Sequence, residues 1–123
     1  MNQKKTSFIS GRIKSITYAF KGLYLLATTE HSIISQLFIS AAMCIVGFYM
    51  EISPVEWMFQ IVAIGLVLTA EGLNTAIEAI CDYIQPNFDK KIGFIKDIAA
   101  GAVTFAALTA VVIGAIIYLP KLT

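Results

Sequence analysis

Glu71, Asn74, Glu78 and Asp82 are spaced by three, four and four residues within the apolar stretch Gly65–Gln85, GLVLTAEGLNTAIEAICDYIQ. At about 100° per residue they fall on one side of an α-helix, within roughly 80° of each other, with Thr75 and Gln85 on the same stripe. Leu66, Leu68, Leu73, Ile77, Ile80 and Ile84 cover the rest of the circumference. An ionisable side chain at the bilayer centre costs about 2.5–3.5 kcal/mol, while each Leu or Ile returns only about 0.3–0.6. Acids kept in such a helix mark a functional site. Carboxylates at the wet end of the strip suit a hard divalent cation such as Mg²⁺, which keeps several waters and is commonly held by one or two carboxylates together with substrate phosphates. A deeper carboxylate, Glu71, can accept a proton from a hydroxyl that stays in lipid. Phosphoryl transfer asks for little more than aligned reactants, charge neutralisation and a residue that orients or deprotonates the attacking oxygen.

The elements that must position these residues belong to a membrane protein. Of 123 residues, 58% are hydrophobic and only 14% charged, far from the quarter charged that water-soluble domains average. Mean hydropathy is +0.78. The reading is a single all-α membrane domain over 1–123, with an amino-terminal interfacial amphipathic helix at 8–29 and transmembrane helices at 33–50, 55–84 and 97–119. Met1–Ser7 reads as a loose cytosolic end. In the first helix Ile9, Ile13, Ile16, Phe20, Leu23 and Ala27 recur in steps of four and three, with Arg12, Lys14 and Lys21 off that line, as in helices lying on a membrane surface. Thr28–Ser32 interrupts the pattern, Pro54 opens the second span and Pro120 ends the third. Ala102, Ala106, Ala110 and Gly114 form a small-residue seam for close helix approach. So short a chain leaves flanks for lipid or sister subunits to cover, which implies a homo-oligomer. Cys44 and Cys81 lack metal-ligand spacing and read as packing thiols.

Lys and Arg set the orientation. Eight of the nine lie in the amino-terminal segment and around the second loop, and the loop after the first span has none. The amino terminus and second loop are therefore expected in the cytosol. Glu30, Glu78, Asp82, Lys96 and Asp97 then share one membrane level, with Glu71 about 10 Å deeper. Lys96 offers the charge a triphosphate needs, and the free N–H groups at the start of the third span could assist with an anion. The blander alternatives are a Glu71–Asn74 packing pair, solvated Glu78 and Asp82, a snorkelling Lys96 and a capping Asp97. His31 reads as an interfacial polar residue. Two rival functions remain open on the residues alone: a proton or cation pathway lined by Glu71 and Glu78, and a non-catalytic assembly subunit. No Gly-rich nucleotide loop, zinc spacing or nucleophile elbow is present in the sequence.

EGLNTAIEAICD at Glu71–Asp82, followed after a short basic loop by KDIAAGAV at Lys96–Val103, resembles the signature of the small prokaryotic diacylglycerol kinase family, which includes undecaprenol kinases. YAFKGL at Tyr18–Leu23 and the single Glu30 before the first span extend the likeness over nearly the whole chain. The resemblance implies a homotrimer of the inner membrane with active sites at subunit boundaries, transferring the γ-phosphoryl group of MgATP to diacylglycerol or undecaprenol. It implies Glu71 as general base, Glu30 and Glu78 as Mg²⁺-binding acids, Asn74, Glu78, Lys96 and Asp97 around the nucleotide, and Tyr18 as an aromatic beside it. Ile34 and Gln36 stand where the family usually carries Arg and a Glu or His. KDIAAGAV is more similar to the undecaprenol kinase branch.

Overall fold

The computed structural model describes the backbone of residues 2–123 and the side chains of 7–123. Four α-helices follow one another: α1 (Asn2–Thr29), α2 (His31–Tyr49), α3 (Pro54–Ile84) and α4 (Lys90–Leu122). The last three are long and apolar enough to cross a membrane. α1 is helical already from Asn2, where the sequence suggested a loose end. Nothing between Asn2 and Ser10 breaks a helix, and Gln3, Lys4 and Lys5 favour one. Met1 lies outside the described residues.

Local chemistry sets each boundary. Glu30 takes an extended conformation between α1 and α2 and makes no capping bond with its side chain. After α2, the turn needs a left-handed residue, supplied by Glu51 at φ 52°. α3 opens with a reciprocal capping box: Ser53 Oγ accepts from Glu56 N at 3.2 Å and Glu56 Oε1 accepts from Ser53 N at 2.9 Å. Pro54 sits in its first turn, where a missing N–H forfeits no bond.

α4 begins at Lys90, well before the expected start near Lys96-Asp97. The cause is Asp89, whose Oδ1 accepts from Lys91 N and Ile92 N at 2.9 and 3.1 Å, a cap that captures the first-turn donors. The N–H groups expected to be free beside Lys96 are therefore inside the helix. At the other end α4 runs through Pro120 to Leu122 rather than stopping at the proline, since a proline in the last turn removes a single helical hydrogen bond.

α3 and α4 form the principal packed pair, and α2 lies on α3. Both α3 and α4 expose much apolar surface, including Leu73, Ile80, Phe105 and Ile116. A small core of Ile52, Ile117 and Tyr118, with Met43, Met50, Trp57 and Ile113 around it, closes the end that carries the α2–α3 turn. Gly47 is required there, because a Cβ would lie 2.9 Å from the Trp57 ring. The expected seam is rotated. Ala106 is buried and Ala110 and Gly114 half-buried, but Ala102 is exposed, and the inward line is Ala99, Val103, Ala106, Ala110, Ile113 and Ile117. A strict four-residue repeat drifts about 40° per step around a helix of 3.6 residues per turn, so it leaves the interface.

Candidate functional site

The polar strip of α3 runs toward the α3–α4 loop. Glu71 and Asn74 are half-buried, while Glu78 and Asp82 are exposed. Asn74 Nδ2 donates to Glu78 Oε1 at 3.2 Å, the i to i+4 contact that one helical turn provides. Its Oδ1 is buried and has no hydrogen-bond partner among the described residues. A buried amide oxygen left unpaired is costly, so this acceptor stands ready for a donor from outside the chain.

Lys96 reaches across from α4 and donates to Asp82 Oδ1 at 2.6 Å. Sequence reasoning placed both residues at one level but did not pair them. Side-chain exposures of 37% and 63% leave the pair accessible to water, and exposed pairs exchange partners readily. Lys96 can thus be captured by a more highly charged anion. Asp97, on the next position of α4, is exposed.

Glu30 is half-buried in the α1–α2 junction, its carboxylate unspent on capping. A Cβ on Gly72 would lie 3.3 Å from Leu26 Cδ1. The last turns of α1 therefore rest against α3 beside Glu71. Tyr18 is 67% exposed on α1. Among the described residues no three His, Cys, Asp or Glu side chains converge closely enough to hold a metal ion by themselves. That donor set still fits Mg²⁺, which binds through one or two carboxylates while substrate phosphates complete its shell.

A second polar group escaped the sequence reading. Gln60, buried on the same face of α3 as Glu71, donates through Nε2 to the Met43 carbonyl at 3.1 Å. Its Oε1 accepts from Tyr118 Oη, which also reaches the Met43 carbonyl at 3.4 Å. One amide and one phenol thereby tie α2, α3 and α4 together. The signal was available: Gln60 is the lone amide in the apolar run Val55–Leu68.

The family model for prokaryotic diacylglycerol kinase matches residues 17–118. The undecaprenol kinase of Bacillus subtilis (strain 168) is 38% identical over 109 residues, covering 89% of each chain. The diacylglycerol kinase of Synechocystis is 28% identical over 109 residues, covering 88% of this chain and 62% of its own. That of Escherichia coli (strain K12) is 27% identical over 100 residues, covering 81% of this chain and 82% of its own. Together with the three apolar helices, these matches define a bacterial membrane enzyme of lipid metabolism, a phosphotransferase with an alcohol group as acceptor. The chain belongs to the prokaryotic diacylglycerol kinase family.

Proposed function

We propose that this chain is an ATP- and Mg²⁺-dependent kinase that phosphorylates undecaprenol, with Glu71 as general base. The observation that carries the reading is the α3 strip, which joins a half-buried carboxylate at Glu71 to exposed acids, one of them paired with Lys96 in the first turns of α4. Such a strip lets a hydroxyl held in lipid meet a triphosphate held in water. Undecaprenol is chosen over diacylglycerol because the undecaprenol kinase is the more similar relative, 38% against 27–28%, and because KDIAAGAV resembles that branch.

Glu71 accepts the proton of the lipid hydroxyl as its oxygen attacks the γ-phosphorus. The bond from that phosphorus to the β,γ-bridging oxygen breaks, and ADP leaves into the cytosol. Glu30 and Glu78 would hold Mg²⁺, which when bound neutralises phosphate charge. Asn74 keeps Glu78 oriented through its Nδ2 contact, and its unpaired Oδ1 is available to a donor on the nucleotide. Lys96 exchanges Asp82 for phosphate oxygens, with Asp97 beside it and Tyr18 near the base. α1 lies on the membrane surface, with Ile9, Ile13, Ile16 and Phe20 toward lipid and Arg12, Lys14 and Lys21 toward headgroups. The protein sits in the inner membrane with its amino terminus in the cytosol. It assembles as a homotrimer with sites at subunit boundaries, and its exposed apolar flanks support an assembly of this kind.

The test is to incubate purified protein with γ-labelled ATP, Mg²⁺ and undecaprenol, diacylglycerol or ceramide in detergent. Undecaprenol should take the label and a chelator should stop it. Labelling of diacylglycerol alone would overturn the choice of lipid, and labelling of none would overturn the kinase.

A further inference from the structure

Among the described residues three polar contacts cross between α3 and α4, and they share one register. Lys96 donates to Asp82 near the α3–α4 loop, Tyr118 Oη donates to Gln60 Oε1 toward the other end, and Lys121 Nζ lies 3.1 Å from Glu56 Oε1 beyond it. Gln60 and Asp82 stand 22 residues apart on α3, as do Lys96 and Tyr118 on α4. The equal intervals fix a straight antiparallel pairing over about 33 Å, at about 1.5 Å per residue. Glu56, four residues before Gln60, and Lys121, three after Tyr118, keep that pairing to within one residue.

Apolar packing between these contacts does little to choose the register. The inward line of α4 from Ala99 to Ala110 is mostly alanine, broken only by Val103, and a slide of one turn sets alanine against much the same surface. Lipid tails are as apolar as the side chains, so in a bilayer no hydrophobic penalty marks the wrong alignment. Polar groups in apolar surroundings do mark it, as a single polar residue fixes register in a coiled coil. The contact at the loop end cannot serve throughout. Lys96 and Asp82 are 37% and 63% exposed, against 29% and 25% for Lys121 and Glu56, and in the kinase reading Lys96 leaves Asp82 for phosphate oxygens.

Resting on that reading, we propose that the Gln60–Tyr118 and Glu56–Lys121 contacts are register pins, whose four residues position Lys96 and Asp97 opposite the acid strip from about 33 Å away. With nucleotide bound, they are the two polar contacts between α3 and α4 that persist. A slip of one turn would carry Lys96 about 5.4 Å along α3, and a misplacement of about 1 Å already costs a site much of its rate. The pins are anchored in turn. Glu56 Oε1 also accepts from Ser53 N in the α3 cap, and Gln60 Nε2 donates to the Met43 carbonyl of α2. In this role the four residues touch neither substrate nor nucleotide; they act through Lys96.

The test is Tyr118→Phe and Lys121→Met, singly and together, in full-length protein assayed well below each variant's melting point. Either alone leaves one pin, so the KM for ATP should hardly change. Together they should raise it about 10-fold, the share of a charge-assisted hydrogen bond from a displaced Lys96, while the KM for the lipid alcohol at Glu71 stays put. Tyr118→Phe with Lys121→Arg, which keeps the second pin, should restore the KM for ATP. A mere loss of stability would lower the active fraction and leave both KM values alone, and that result overturns the proposal. Alignment can also be read without turnover, in native membranes. With Cys44 and Cys81 replaced by alanine, Thr75→Cys should form a disulfide with Val103→Cys, its partner in this register and like it half-buried. Loss of both pins should add bonds from position 75 to Ala99→Cys or Ala107→Cys, one turn either way. An unchanged disulfide pattern overturns the pins even where the double variant cannot be purified. A shifted pattern in a protein that phosphorylates no lipid leaves the pins standing and removes the kinase reading.

Discussion

In the proposed function the chemistry turns on Glu71 and Lys96, and the two are tested by opposite signatures. Glu71→Gln keeps size and hydrogen bonding but removes the base, so kcat should fall by about 10²–10⁴, the usual contribution of a positioned general base. Expression and melting should hold, since a neutral amide is easier to keep half-buried in apolar surroundings than a carboxylate. A mutant that melts early and keeps its rate would make Glu71 a packing residue. Lys96→Met leaves Asp82 without its 2.6 Å partner, yet both groups are accessible to water, so the thermal midpoint should barely move. The KM for ATP should rise markedly. A large loss of stability with an unchanged KM would return Lys96 to a structural ion pair.

Much of the architecture was legible at the level of the element, and the errors have local causes. The three apolar runs and the acid strip follow from hydrophobic periodicity alone. The early start of α4 was missed because Asp89 reads as one more polar loop residue until its carboxylate is seen on Lys91 N and Ile92 N. The Lys96–Asp82 contact joins residues on different helices, and a single sequence carries no mark of such pairing. Tyr118 stayed silent for the same reason, whereas Gln60 was visible as a lone amide in an apolar run; together they bind α2, α3 and α4. Tyr118→Phe should therefore cost about 1 kcal/mol in detergent unfolding, the scale of an interhelical hydrogen bond in membrane proteins, because Gln60 Oε1 loses its donor. Glu71-dependent turnover should persist at temperatures below the shifted midpoint. An unchanged midpoint would mean that water or Met43 satisfies the amide without the phenol.

At the scale of the whole molecule, charge and exposed apolar surface govern how the chain sits and assembles. Phe38, Phe48, Phe105 and Ile116 are each more than two-thirds exposed, and such flanks must face acyl chains or neighbouring subunits. Orientation is the sharper prediction. The α2–α3 turn carries Glu51 and no Lys or Arg, while Lys90 and Lys91 open α4 directly after the α3–α4 loop and the amino-terminal segment holds five more basic residues. Basic residues resist translocation far more strongly than acidic ones promote it, so the α3–α4 loop should stay in the cytosol. In a background with Cys44 and Cys81 replaced by alanine, Asn87→Cys should react with a membrane-impermeant maleimide only in inside-out vesicles. Glu51→Cys should react only in right-side-out ones. The reverse pattern would carry Glu78, Asp82 and Lys96 to the side away from cytosolic ATP, and a kinase reading of the strip could not survive it.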